Sequence, residues 1–135
     1  MPEFFIQSSR KSLRGFSLVE ILAAIAIIGI ITFLAIPNIV RVKEDGEESL
    51  AIARVEALNM AMASYLQAHG STAANTAWTA ATDDQARYTL LTPYMAFAPA
   101  NLTAYMPGGY SATFSSTLVP LTKAGLTGPS GSVAY

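Results

Sequence analysis

The chain has 135 residues, no cysteine and a formal net charge of −1 at pH 7. This length provides one small domain with its own core, and the absence of cysteine excludes disulfides, thiolate chemistry and cysteine-based zinc sites. The near-neutral charge excludes a strongly basic surface for nucleic acid.

The first predicted elements are a basic leader, residues 1–15, and an apolar helix. The leader has three basic residues against one acidic residue, Glu3. The basic ones are Arg10, Lys11 and Arg14. Residues 21–40 contain no charged side chain, and a helix of that length spans about 30 Å, the thickness of a bilayer's hydrocarbon core. The positive-inside rule places the leader in the cytoplasm and the rest of the chain across the membrane.

Glu20 lies just ahead of this uncharged segment. Taken alone, it fits a side chain that extends to the membrane interface. Drawn deeper, its carboxylate costs a few kcal/mol unless a cation neutralises it. Gly15 is a small residue at the end of the leader, whereas an ordinary secretory signal is cut after its apolar core. A cut after Gly15 would free the amine of Phe16 as a cation, four residues from Glu20.

The passage GFSLVE at residues 15–20 strongly resembles the processing site of type IV prepilins and type II secretion pseudopilins. The resemblance implies that a membrane aspartyl peptidase cuts after Gly15 and methylates the new amino terminus at Phe16. It also implies that Glu20 pairs with a neighbouring subunit's terminal amine during assembly. By spacing alone, Glu20 and that amine pair either within one chain or between chains whose helices are offset axially.

Gly29 and Pro37 extend the resemblance, which covers residues 10–54. They stand where many members of the family carry a helix glycine and a helix-breaking proline. Gly29 also fits close helix packing in a membrane. Pro37 removes a backbone donor and clashes with the preceding turn, so we expect a kink or local melting there.

A charged stretch, residues 41–49, marks the predicted exit from the membrane, and an amphipathic helical face follows it. Its apolar positions have three-to-four spacing. They are Ala51, Val55, Leu58, Met62, Tyr65 and Leu66. Gly70 is predicted to end this helix, and residues 71–76 are interpreted as a loop. His69 is interpreted as a polar group at the helix end, in preference to a ligand or base.

Asp83 and Asp84 open a further predicted helix that ends before Pro93, with Thr82 or Asp83 as its N-cap. Adjacent carboxylates diverge on a helix, which disfavours a metal site. No Asp or Glu follows Asp84, whereas major pseudopilins commonly bind calcium through C-terminal acidic residues. We therefore expect no calcium site, and the missing disulfide loop of many type IV pilins favours a pseudopilin or a short pilin-like subunit.

The C-terminal third has turn and strand signals. Residues 107–109 predict a turn, residues 110–115 a strand and residues 118–121 a short edge strand, while the glycine-rich residues 125–135 predict a loop-like tail. Six aromatic residues are assigned mainly to the core or its rim. They are Trp78, Tyr88, Tyr94, Phe97, Tyr105 and Tyr110. No nucleotide-binding loop, nucleophile motif or metal-ligand cluster is present.

The sequence thus predicts an α+β, pilin-like fold in which a long N-terminal helix carries a small antiparallel sheet. Residues 1–15 are predicted to be a cytoplasmic leader removed on maturation. Residues 16–40 are predicted to be a transmembrane and filament-core helix whose continuation packs on the sheet. Residues 41–135 are predicted to form an extracytoplasmic domain.

The resemblance implies a non-enzymatic structural subunit of a type IV pilus-like or type II secretion pseudopilus filament. The implied partners are other pilin subunits, prepilin peptidase, an assembly ATPase and a platform membrane protein. The precursor would be a single-pass protein of the bacterial inner membrane and the product a periplasmic or cell-surface filament. No cofactor, metal or nucleic acid is expected. The alternative is a signal-anchored binding module that never polymerises and keeps its leader.

Overall fold

The structure is a computed structural model that describes Met1 and residues 15–135. The expectations for the basic leader therefore fall largely outside the described residues. The chain divides into two compact units, Met1–Val40 and Arg41–Tyr135, and the first helix has residues in both.

Helix α1 is Leu18–His69. The carbonyl of Ser17 starts it by accepting hydrogen bonds from the backbone N–H groups of Glu20 at 3.0 Å and Ile21 at 3.2 Å. The helix continues through Pro37 and Gly46. Local melting at Pro37 is therefore wrong for this chain, since the helix continues past the one missing backbone donor. A kink there stays a prediction.

The predicted apolar face of α1 is confirmed. Its buried residues are Ala51, Val55, Leu58, Ala61, Met62 and Tyr65, and Leu66 packs partly buried against them. The helix ends at His69 as predicted, and Gly70 follows with φ +77°. Glycine enters this backbone region without the steric cost that a Cβ brings.

The loop expected at residues 71–76 is wrong, because Ser71–Ala80 forms helix α2. Serine, threonine and asparagine suggested a loop, but Ala74 and Trp78 lie one turn apart and are both buried. The indole N–H of Trp78 also donates to the carbonyl of Ser115 at 2.9 Å. Burial of this large side chain outweighs weak local helix preference.

Helix α3, Asp84–Leu91, is confirmed. Asp83 is its N-cap, and its carboxylate accepts a hydrogen bond from the N–H of Ala86 at 2.7 Å. A 3-10 turn, Thr92–Tyr94, follows directly, and a short helix α4, Leu102–Tyr105, was not predicted.

The sheet has three antiparallel strands in the order β1-β2-β3. They are β1 (Ser111–Thr113), β2 (Gly125–Gly128) and β3 (Gly131–Val133). Leu126 pairs with Ala112 on one side and Val133 on the other. The predicted turn precedes the sheet, since the N–H of Tyr110 donates to the carbonyl of Pro107 at 3.1 Å. The α+β class, with a long N-terminal helix and a small antiparallel sheet, is confirmed.

The loop-like tail is wrong because its glycines permit close contacts within the sheet. A Cβ at Gly125 would lie 2.5 Å from the hydroxyl oxygen of Thr113, and a Cβ at Gly128 would lie 2.7 Å from Cε1 of Tyr110. Gly131 begins β3, directly after the two-residue turn from β2, with φ +119°. Glycine here serves close packing and a tight turn, so it does not mark disorder.

The edge strand expected at residues 118–121 is also wrong. Leu118 is buried, and its N–H donates to the side-chain oxygen of Asn75 at 2.9 Å. The N–H of Val119 donates to the same oxygen at 3.3 Å. These backbone groups are therefore satisfied by a helix side chain, without a neighbouring strand.

Asn75 belongs to a set of four polar side chains that we call the helix acceptors: Asn59, Asn75, Asp84 and Gln85. Each accepts backbone N–H bonds from the C-terminal half of the chain, at 2.7–3.3 Å. Their partners are the N–H groups of Ala124, Leu118, Val119, Phe114 and Leu102. Besides the small sheet, these four helix side chains thus hold irregular segments of the backbone against the helices.

One core joins the C-terminal half of α1 to the shorter helices, the sheet and the connecting segments. Most of the aromatic assignments hold: Trp78, Tyr88 and Tyr105 are buried, while Tyr94 and Tyr110 pack at the rim. Phe97 departs from the rest, since 71% of its surface is exposed.

Candidate functional site

The candidate site is the non-helical segment that leads into α1. Gly15, Phe16 and Ser17 have no regular secondary structure. Gly15 is exposed with nothing within 4 Å of where a Cβ would lie, and Phe16 is 81% exposed. Proteases act on exposed, irregular backbone. In the described part of the chain, the Gly15–Phe16 peptide bond is therefore sterically open.

Glu20 lies in the first turn of α1 and is exposed. A carboxylate there interacts favourably with the partial positive charge of the helix N-terminus. The ion pairs among the described residues are Lys43–Glu47 and Arg87–Asp84, so Glu20 takes part in none of them. In the uncut chain the nitrogen of Phe16 is an uncharged amide. A pair between this nitrogen and Glu20 can form only after cleavage.

Ser17 and Glu20 have the spacing of a capping box, a signal that the motif-based interpretation did not use. In a capping box the serine and glutamate side chains bind each other's backbone N–H groups. Within the described residues, α1 starts through the carbonyl of Ser17, which accepts the N–H groups of Glu20 and Ile21. Helix capping nevertheless remains a second role for Glu20 that an experiment has to separate from charge pairing.

The apolar part of α1 contains one stretch long and apolar enough to cross a membrane. Its 18-residue window has a mean hydropathy of 2.7, and none of that window is buried. The hydroxyl of Thr32 donates to the carbonyl of Ile28 at 2.8 Å, which satisfies this polar group within the helix. Exposed apolar surface on this scale is unfavourable in water, so lipid or other helices must cover it.

The other two predicted site residues lie further along α1. Gly29 is nine residues beyond Glu20, roughly 14 Å along the helix axis, and Pro37 is eight residues further on. A Cβ at Gly29 would meet nothing within 4 Å. No described contact within the chain therefore requires glycine there. The packing role of Gly29 stays a prediction about contacts with another chain.

His69 lies in an aromatic cluster at the end of α1. Its Nδ1 is 3.2 Å from the carbonyl of Tyr65 and 3.3 Å from the hydroxyl of Tyr94. This arrangement confirms its interpretation as a polar group at the helix end. Among residues 15–135, no three His, Asp or Glu side chains are grouped so that they could hold a metal ion.

Residues 10–36 match the family described as the prokaryotic N-terminal methylation motif, the prepilin-type cleavage and methylation signal. The match covers about a fifth of the chain and includes Gly15, Phe16, Glu20 and Gly29. Searches of curated proteins and of solved structures gave no significant match. The signal supports a precursor similar to type IV pilins or pseudopilins, and with the apolar helix it fits a membrane-anchored precursor.

Proposed function

We propose that this chain is the precursor of a structural subunit of a type IV pilus-like or type II secretion pseudopilus filament. The observation that carries the proposal is the match of residues 10–36 to the prepilin-type signal. The uncovered apolar helix that follows the signal supports it, because a filament core provides the cover that this helix lacks as a single chain.

Maturation would begin in the bacterial inner membrane, with the leader in the cytoplasm and residues 41–135 on the other side. Prepilin peptidase would cut after Gly15 and methylate Phe16. The new amine is a cation, and the carboxylate of Glu20 in an adjacent chain would neutralise it. Neither charge is then left alone in an apolar setting, so charge neutralisation would be coupled to assembly.

The apolar helix and the polar and aromatic residues of the domain would serve assembly and folding, and the subunit would have no catalytic role. Apolar helices would leave lipid for other helices in the filament, with Gly29 allowing close approach. An assembly ATPase and a platform membrane protein would drive this transfer. The helix acceptors and the core aromatic residues have structural contacts that account for them.

The decisive experiment is intact-mass and N-terminal peptide mass spectrometry of the protein from its native membranes. The expected product begins at methylated Phe16, and Gly15→Ala is expected to abolish it because this variant changes the residue immediately before the proposed cut. A chain that keeps its leader in a host with active prepilin peptidase would overturn the proposal.

Glu20→Gln tests the role of the charge. Glutamine serves in a capping box as well as glutamate does, so this variant keeps any capping and loses only the charge. A lone buried amine costs several kcal/mol, so we expect filament yield to fall by more than about tenfold while cleavage continues. Ser17→Ala, which removes the capping partner, is the matched control and should assemble normally. The reverse pattern would assign Glu20 to capping.

The competing function is a signal-anchored binding module. A groove of about 400 Å³ on the Arg41–Tyr135 unit favours it, since its lining includes the exposed side chains of Met60 and Phe97. Such a module would keep its leader and remain monomeric. The mass measurement above therefore separates the two functions directly.

A further inference from the structure

A groove on the Arg41–Tyr135 unit leaves two large apolar side chains exposed to solvent. It has a volume of about 400 Å³ and lies between α1 and residues 94–97. Met60 on one side is 67% exposed, and Phe97 on the other is 71% exposed. Among the described residues after position 50, these are the most exposed large apolar side chains. Apolar side chains grouped in this way mark a contact site for another apolar surface.

The polar side chains that line the groove are already paired within the chain. The guanidinium group of Arg54 donates to the carbonyl of Tyr105 and lies over its ring, 5.5 Å from the centroid. The hydroxyl of Tyr105 donates to the carbonyl of Arg54 at 3.3 Å, and that of Ser64 donates to the carbonyl four residues before it at 3.0 Å. The hydroxyl of Tyr94 lies 3.3 Å from Nδ1 of His69. An apolar surface can therefore cover the groove without leaving these side chains unpaired.

The base of the groove is a helix surface that a second helix can approach closely. Ala57, Ala61 and Ser64 follow one another at the helical period along α1. Small residues at this spacing let two helices pack at short distance. Small side chains at the base and large apolar side chains beside them have the form of a groove that accepts an apolar helix.

We propose that residues 18–40, the apolar part of α1, pack in this groove of another copy. The inference rests on the proposed filament. It names the surface of the Arg41–Tyr135 unit that contacts the apolar helix of a second subunit.

The chain itself carries the occupant that this groove requires. Arg54 is the only charged residue that lines the groove, and because Tyr105 holds it, the groove matches an uncharged surface. Residues 21–40 carry no charge, and none of the 18-residue apolar window of α1 is buried. An apolar helix and an apolar groove are two different surfaces of one chain. A heterologous interface joins two such surfaces, and its repetition builds an open helical filament.

Site-specific photo-crosslinking tests the contact directly. The full chain carries p-benzoylphenylalanine at position 97, which keeps an aromatic side chain there, and its filaments are irradiated and digested with trypsin. Position 97 then lies in the peptide of residues 88–123, and the apolar helix in the peptide of residues 16–41. The expected product is a covalent dimer in which these two peptides are joined. The same substitution combined with Gly15→Ala is the control, and this chain should stay monomeric because it is not cleaved.

Phe97→Ala tests whether the contact supports assembly. We expect filament yield to fall at least about tenfold, because exposed aromatic side chains that fill a partner's surface dominate interface energies. Phe97→Leu keeps an apolar side chain and should assemble at near wild-type yield. Leu121→Ala is the matched control, since Leu121 is 44% exposed and lies outside the groove. Circular dichroism checks the folding of each variant, and mass spectrometry checks leader removal.

A cross-link to a different protein, to lipid or to any other peptide of this chain would overturn the contact. Absence of the dimer from wild-type-like filaments, or assembly of Phe97→Ala at wild-type yield, would overturn it too. All of these results are compatible with leader cleavage and filament formation. A wild-type chain that keeps its leader would instead overturn the proposed function. The two inferences therefore fail in distinguishable ways.

Discussion

Asn75 shows how single side chains on helices hold the C-terminal half of the molecule. Its side-chain oxygen accepts the N–H groups of both Leu118 and Val119. A buried donor left without a partner costs about 1–3 kcal/mol. We therefore expect Asn75 to contribute to the stability of the fold through these two hydrogen bonds.

Asn75→Ala is expected to lower the free energy of unfolding by about 1–3 kcal/mol, because it removes the acceptor for two backbone donors. Asn75→Asp retains an oxygen at that place and should recover most of the loss. Asn101→Ala is the control, since the side chain of Asn101 makes no capping hydrogen bond. Urea titration of the full chain in detergent measures all three. Equal stability of Asn75→Ala and the control would refute the role.

The helix acceptors lay beyond sequence reasoning because their partners are backbone groups. Any residue except proline supplies an N–H, so nothing in the sequence around Leu118 identifies Asn75 as its partner. Asp83 was predictable because an N-cap binds a donor three residues away in the same helix. The prepilin-type signal at residues 10–36 was predictable because it is local and contiguous in sequence.

Helix α1 and the glycine-rich tail differ in how far the sequence predicts them. The buried face of α1 was predictable since its apolar residues repeat with the helical period. Helix α2 and strands β2 and β3 were not, because Trp78 burial and the close approach of Gly128 to Tyr110 depend on distant residues. Local composition predicted loops for these segments because it could not reveal the contacts that order them.

Gly128→Ala tests whether the glycines of β2 serve close packing. The new methyl group would lie 2.7 Å from Cε1 and 3.1 Å from Cδ1 of Tyr110. The ring must move, and overpacking of this kind costs about 1–3 kcal/mol. Gly108→Ala, where nothing lies within 4 Å, is the matched control. Thermal unfolding followed by circular dichroism should show a lower Tm for Gly128→Ala alone. A similar Tm for both variants would contradict the packing argument.

Across the Arg41–Tyr135 unit, buried tyrosines link stability to alkaline pH. Burial raises the pKa of Tyr65, Tyr88 and Tyr105 above the ordinary value of 10.0. For Tyr105 the nearby Arg54 opposes this rise without cancelling it. Above pH 10 the unfolded chain loses these protons before the folded chain does. The stabilisation is therefore complete below pH 10 and is lost as pH rises through the folded-state pKa values.

These tyrosines should therefore have little effect on the urea midpoint of the full chain in detergent just below pH 10. Above pH 10 they should make the midpoint fall. Tyr88→Phe should weaken this pH dependence, since one titrating group is removed. It should also lower the midpoint at neutral pH, because the Tyr88 hydroxyl donates to the carbonyl of Pro99 at 2.8 Å. A midpoint that rises above pH 10 would contradict the assignment.

The connection between β1 and β2 is anchored by its main chain, while most of its side chains face outward. Four of its N–H groups, from Phe114, Leu118, Val119 and Ala124, are held by helix acceptors. Residues 115–117 and 119–123 are exposed. Amino-acid identity at most of these positions is thus weakly coupled to the fold. Lys123 is the exception, since its amine donates to the carbonyl of Tyr135 at 3.1 Å. In the proposed filament, which would repeat this surface with every subunit, the connection would be a site where sequence variation or an inserted peptide tag is tolerated.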